Sequence, residues 1–208
     1  MTPSDARIGA VLLAAGGASR FGAPKQLLAI DGVPMVRRIA IAALAAGLSP
    51  VMVVTGAHGE EVSASLAGLD VHEVVHGDWA SGMGGSLAAG IRAIVKQAAS
   101  LQAVMVLLAD QPSIGSADLE GMLQAHAEAA GRIVAARYDG HLGAPCLFPR
   151  ACLDDLSVLH GARGARVLLE RYASNVEAYD LPSAAFDIDT PADHAAWLAL
   201  RGREPPDR

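Results

Sequence analysis

Only two cysteines occur, Cys146 and Cys152, and no His or Cys pair stands near them at zinc-ligand spacing. A disulfide scaffold and a zinc module are both excluded, and the two residues read as reduced thiols of a cytoplasmic protein. The chain also lacks a polybasic run, and its formal net charge is −6. A general affinity for nucleic acid or for an anionic membrane is therefore not expected. No stretch approaches the roughly 18 apolar residues of a membrane helix. The N-terminus does not have the shape of a signal peptide: Asp5 comes early, and the apolar run 8–15 is short and ends in glycines. Aromatic residues are scarce, at 4%. Seven histidines occur, but none has the spacing of a metal-binding helix.

What is present is Ala, Val, Leu and 22 glycines among 208 residues. That balance suits an α/β protein with close helix–sheet packing. Strand-like runs at 8–15, 50–56, 71–77, 103–110 and 132–138 alternate with helix-period segments at 34–47, 59–68, 84–99 and 116–129. Pro34 suits a first helical turn, Gly47 a C-cap and Ser116 an N-cap. Several strands are apolar throughout, which implies burial on both faces in a mainly parallel sheet with helices on either side. Ligands on such sheets sit beyond the carboxyl ends of strands. Residues 14–25, 55–58, 77–86 and 110–113 therefore carry the functional interest. After residue 138 the pattern loosens, and loops, short helices and a final helix are expected to cover one side of the site. The tail 202–208 reads as frayed.

The stretch VLLAAGGASRFGAPKQLL, residues 11–28, poses the functional question. A strand that ends in glycines can turn several backbone N–H groups onto one anion. Arg20 and Lys25 add two cations, which makes a site for a polyanion such as a triphosphate; a surface loop with solvated cations is the plain alternative. Lys25 stands between Pro24 and Gln26, so the Walker pattern fails. The dinucleotide fingerprint G-x-G-x-x-G is also missing. Asp110 ends an apolar strand before Gln111-Pro112. It suits either a Mg²⁺ ligand or a turn aspartate. Ser86 reads as a ligand contact or an N-cap. Trp79 and Met83 are open between covering a ligand and packing.

LAAGGASRFGAPKQLL resembles the signature of the MobA-like nucleotidyltransferases, and within them it is most similar to the molybdenum cofactor cytidylyltransferases. Phe21 stands where the family usually has Met. The resemblance continues in family order through GMGGSLAAGI (82–91), LLADQP (107–112), GARGARVLL (161–169) and DIDTPAD (187–193). It implies one domain over 1–208 with a three-layer Rossmann-like nucleotidyltransferase fold and a mainly parallel mixed sheet. About 1–138 would form the nucleotide-binding half and about 139–200 the acceptor-side half. It implies Mg²⁺-dependent transfer of CMP from CTP to the phosphate of molybdopterin or Mo-molybdopterin, with Mn²⁺ as an alternative metal. A molybdenum hydroxylase is the implied client.

The resemblance also implies roles. Lys25, Arg20 and Asp110 are the implied catalytic residues. Leu13, Ala14, Ala15, Gly16, Gly17, Thr55, Gly56, Gly82 and Ser86, with Lys25 and Asp110, are implied to hold the nucleotide. In this family an Ala-Ala-Gly run goes with CTP and Ala-Gly-Gly with GTP, and Leu13-Ala14-Ala15-Gly16 fits the first. The implied metal ligands are Asp110 and Asp187, with Asp189 as the less favoured second carboxylate. Asp189 could instead cap the final helix, and Asp193 suits its first turn. His141, Gly143 and Arg166 fall on the acceptor side. There Ala144 replaces a usual His and Ala162 a usual Asp, which bears on the acceptor's identity. Three rivals stand beside this reading: another phosphorylated acceptor, a non-catalytic nucleotide-binding accessory protein for a molybdenum hydroxylase, and an oxidoreductase.

Overall fold

The computed structural model describes residues 7–17, 24–129, 131–188, 190, 192, 193 and 195–197. The elements run β1 (Ile8–Ala14), β2 (Ala29–Ile30), β3 (Val33–Pro34), α1 (Met35–Ala45), β4 (Val51–Thr55), α2 (Gly59–Ser65) and β5 (His72–Val75). They continue with α3 (Met83–Gln97), β6 (Ala103–Leu108), α4 (Ser116–Glu128), β7 (Ile133–Tyr138) and β8 (His141–Pro149). The last are α5 (Leu153–Ser157), α6 (Arg166–Arg171) and β9 (Val176–Asp180).

Seven strands form one sheet in the order β5-β4-β1-β6-β8-β7-β9. β8 runs antiparallel to β6 and β7, and the other neighbouring pairs are parallel. This is the mainly parallel mixed sheet that the sequence implies. The chain lays β4 and β5 on one side of β1, then crosses to place β6 on the other side. The crevice at the carboxyl ends of β1 and β6 is thus a topological switch point, where open α/β sheets bind ligands.

Alternate residues of each central strand feed two separate cores. Ala10, Leu12 and Ala14 of β1 pack with α1 and α4, through Ile39, Ala43, Leu119 and Met122. Val11, with Val104 and Val106 of β6, packs instead with Leu87, Ile91 and Ile94 of α3. The period-2 alternation of a strand buried on both faces produces this three-layer arrangement. α3 lies close to the sheet because Gly90 has no side chain: a Cβ there would stand 2.5 Å from Val11 Cγ1 and 2.8 Å from Val54 Cγ2. A third, smaller cluster joins Ile30 and Met35 to Ile188 and Trp197. β2 and β3 form a hairpin through Asp31 and Gly32, whose φ values of 53° and 78° suit a type I′ turn.

Three sequence expectations are corrected, at β8 and β9, at Ser116 and at Ser86. The segment read as loop after residue 138 contains the nine-residue strand β8, which enters the middle of the sheet, and the edge strand β9. Ser116 is the first residue of α4 and does not cap it; Gly115 holds the N-cap position, and its N–H donates to Asp118 Oδ2 at 2.8 Å. Ser86 does not cap α3, which begins at Met83 with Gly82 as N-cap. At the final helix Thr190 fills the cap position: its N–H and Oγ1 donate to Asp193 Oδ2 at 2.7 and 2.9 Å, and Asp193 N–H donates to Thr190 Oγ1 at 3.2 Å. Asp189, Arg20 and the tail 202–208 lie outside the described residues.

Candidate active site

β1 stops at Ala14, and the backbone 15–17 runs out from the sheet. Gln26 holds this strand end in place. Its side chain is 3% exposed, and Nε2 donates to the carbonyl oxygens of Ala14 at 3.3 Å and Gly16 at 3.2 Å. The neighbouring Lys25 begins a single 3₁₀ turn, so its side chain leaves in another direction and reaches the end of β6. Lys25 Nζ donates to Asp110 Oδ2 at 2.6 Å. Asp110 Oδ1 is buried and, among the described residues, has no hydrogen-bond partner.

These groups border a cavity of about 550 Å³ at the switch point. One wall is Leu13 to Gly16 with Lys25 and Gln26, and a second is Leu108 to Asp110. The rest comes from Trp79, Ala80, Gly82, Met83 and Ser86, with Ala162 at the rim. Ser86 is 4% exposed and sits in the first turns of α3.

Trp79 closes one flank. Its indole lies over two glycines, Gly17 and Gly56. A Cβ at Gly17 would come within 2.7 Å of Trp79 Cζ3, and one at Gly56 within 2.8 Å of Trp79 Cγ and 2.6 Å of the Ala15 oxygen. Gly56 therefore lies beneath the ring and does not line the cavity. Thr55 is fully buried, and its hydroxyl donates to Glu73 Oε1 at 2.9 Å.

Two glycines of GMGGSL, Gly82 and Gly84, admit the chain's own backbone. Gly82 has φ of 119°, and a Cβ there would stand 2.6 Å from Gly161 C. A Cβ on Gly84 would stand 2.6 Å from His160 O, and Gly84 N–H donates to Gly161 O at 2.8 Å. The loop 160–162 is thereby pinned to the start of α3, and it carries Ala162 to the cavity rim.

Two of the expected acceptor residues, His141 and Gly143, pack against Tyr138, at the end of β7. The Tyr138 hydroxyl nestles against Gly143, where a Cβ would collide with it. His141 packs edge-on against the Tyr138 ring, with centroids 4.7 Å apart. Burial pushes the Tyr138 phenol up to about 12; the negative charge of Asp187 adds to this, Cys146 and Asp110 act in the same direction, and Arg166 opposes. The phenol therefore stays protonated and remains a hydrogen-bond donor at neutral pH. Asp187 is exposed.

Of the residues named from sequence, Leu13, Ala14, Ala15, Gly16, Lys25, Gly82, Ser86 and Asp110 line one cavity. Gly17, Thr55 and Gly56 stand behind it, while His141 and Gly143 pack at Tyr138 and Arg166, the first residue of α6, acts on that phenol only through its charge. Sequence reasoning missed Gln26, Tyr138 and the buried Gln111, whose Nε2 donates to the oxygens of Ala144 at 3.0 Å and Ala184 at 3.1 Å. Polar residues directly beside a named motif, Gln26 after Lys25 and Gln111 after Asp110, were the available signal.

A doubly covered, mainly parallel sheet with a cavity at its switch point defines the class: a Rossmann-like α/β protein built to hold a ligand beyond its strand ends. Residues 10–176 match the MobA-like NTP transferase domain, and the chain belongs to that family. It is 35% identical over 193 residues to nicotine blue oxidoreductase of Paenarthrobacter nicotinovorans, a match that spans 86% of this chain and 91% of that one. Among solved structures it resembles Rv0371c of Mycobacterium tuberculosis, at 26% identity and a TM-score of 0.78, over 93% of this chain and 97% of that one. A manganese complex of Rv0371c matches with a TM-score of 0.74 at 26% identity, over 93% and 98% of the two chains. The nucleotidyl transferase Mth528 of Methanothermobacter shares the fold, with a TM-score of 0.77 at 24% identity over 95% and 99%. Among the described residues no helix is long and apolar enough to cross a membrane.

Proposed function

We propose that the protein is a cytoplasmic cytidylyltransferase that transfers CMP from CTP to the phosphate of molybdopterin or Mo-molybdopterin. A phosphate oxygen of the acceptor attacks the α-phosphorus of CTP, the bond to the β-phosphate oxygen breaks, and pyrophosphate leaves with the electron pair. No covalent enzyme intermediate is needed. The product, a cytosine dinucleotide cofactor, would serve a molybdenum hydroxylase.

The observation that carries this reading is the Lys25–Asp110 contact of 2.6 Å at the rim of the cavity. Bringing one phosphate onto another is an encounter of anions, so catalysis is chiefly charge neutralisation and positioning. Lys25 is the cation for the transferring phosphate, and Arg20 is assigned to the triphosphate. Backbone groups from Leu13 to Gly16 border the base and phosphates, with the base beside Ala14 and Ala15, Gly17 backing them and Ser86 at the ribose side. Thr55 and Gly56 support this wall from behind. Gly82 shapes the rim. His141, Gly143 and Arg166 are assigned to the acceptor.

The carboxylates fit a hard divalent cation. Asp110 Oδ1 is a buried oxygen that has no partner among the described residues. Among the described residues no group of three His, Cys, Asp or Glu forms a protein cage. Mg²⁺ favours one or two carboxylates completed by phosphate oxygens and water, and Mn²⁺ is an accepted alternative. Asp110 and Asp187 would hold the ion, with Asp189 the second choice. Such an ion neutralises charge on the phosphate oxygens.

The name of the 35% identical relative supports a second reading, oxidoreduction. The experiment that separates the two measures pyrophosphate release from CTP with molybdopterin, with and without EDTA, beside binding of NADPH and flavin. Metal-dependent, acceptor-dependent release without cofactor binding supports transfer. Tight cofactor binding without release favours the oxidoreductase.

A further inference from the structure

We infer that Gln26 is a specificity-determining residue that reads the amino group of the base through its Oε1. The inference rests on the nucleotide reading above, which puts the base beside Ala14 and Ala15, and it names the group that selects cytosine there.

Gln26 lines the cavity although its side chain is 97% withdrawn from solvent, being 3% exposed. Nε2 faces two carbonyl oxygens at once, those of Ala14 and Gly16. Only an N–H group can face two carbonyls, so the carboxamide has a single orientation. Among the described residues no donor reaches Oε1, and Oε1 is not one of the buried polar atoms without a partner. It is the end of the side chain left for the cavity. The backbone oxygens that would otherwise read an exocyclic amine, those of Ala14 and Gly16, already accept from Gln26. A fixed acceptor in an enclosed wall favours a donor opposite it and rejects another acceptor. Cytosine presents N4–H₂ at that edge, whereas uracil presents a carbonyl oxygen. The occupant chosen by this geometry is a 4-aminopyrimidine nucleotide.

The test measures dissociation constants by calorimetry for CTP, UTP and pyrimidin-2-one riboside triphosphate, which has hydrogen in place of the N4 amine. The wild-type protein is expected to bind CTP about tenfold more tightly than either of the others, the worth of one hydrogen bond in a dry site. Gln26→Met, which keeps the volume and loses the acceptor, is expected to bind all three within about threefold of one another. Equal binding of CTP and the analogue lacking the amine by the wild-type protein overturns the assignment without help from the variant. Retained tenfold discrimination in a folded Gln26→Met protein overturns it too. In both cases CTP binding persists and the nucleotide reading stands. Absence of CTP binding by the wild-type protein overturns both.

Discussion

Lys25 and Asp110 are 85 residues apart in sequence, yet Nζ lies 2.6 Å from Oδ2 where β1 and β6 both end. The pair joins the glycine-rich strand end to the second strand of the switch point. Each side chain is about a quarter exposed or less, at 24% and 20%, so the charges are neither fully solvated nor sealed in. Asp110→Asn keeps the shape and removes the charge. It should reduce turnover by about 10²–10³-fold, the usual cost of one preorganised electrostatic contact. Lys25→Ala should cost at least as much. Steady-state kinetics beside thermal melts check this, with activity falling far more than stability.

Trp79 against its two glycines gives a graded prediction. At Gly17 the three nearest atoms to an added Cβ among the described residues all belong to the indole, which can swing aside. At Gly56 the Ala15 carbonyl is also in the way, at 2.6 Å, and backbone cannot yield as a side chain does. Gly56→Ala should therefore destabilise by about 1–3 kcal/mol, while Gly17→Ala should cost less and mainly change Trp79 fluorescence and CTP affinity. Denaturant melts with emission spectra of the two variants test the order.

Gly84 meets the backbone of a distant segment. A Cβ there would stand 2.6 to 2.9 Å from three backbone atoms of His160. Gly84→Ala should push the 160–162 loop off α3, at a cost of about 1–3 kcal/mol. Hydrogen exchange should quicken at 160–164 and also at Gly84 N–H, whose acceptor is Gly161 O.

His126, half-buried on α4, gives a pH prediction. Burial lowers its pKa below the ordinary 6.5, and a backbone contact at Arg132 opposes this only in part. The unfolded chain then takes up a proton before the folded one does as pH falls. Stability is full above about pH 6.5 and declines below it. Urea midpoints from pH 7.5 to 5.5 should fall in the wild-type protein and fall less in His126→Gln.

The fold up to residue 138 was largely legible because β1, β4 and β6 are continuous apolar runs broken by glycine or aspartate. The part that follows was not. β8 reads as loop because Gly143 and Pro145 interrupt it. In the structure β7 pairs Ala135 with Cys146 and Ala136 with Gly143, which leaves 144 and 145 as the extra residues of a bulge. Proline, having no N–H, is tolerated at such a place. β9 is half-exposed without clean alternation. Gly82 was legible as special, but its reason, the approach of the 160–162 backbone, is a contact between distant segments that no local pattern carries. The same holds for Gln26: its two carbonyl partners lie on the preceding strand end, and sequence spacing gives no sign of them.

The most direct test of the account is pyrophosphate release from CTP in the presence of molybdopterin and Mg²⁺, run beside GTP and an Asp110→Ala variant. The account predicts acceptor-dependent release with CTP, weak release with GTP, and loss of activity in the variant. Undiminished release in Asp110→Ala, or no binding of CTP at all, would contradict it.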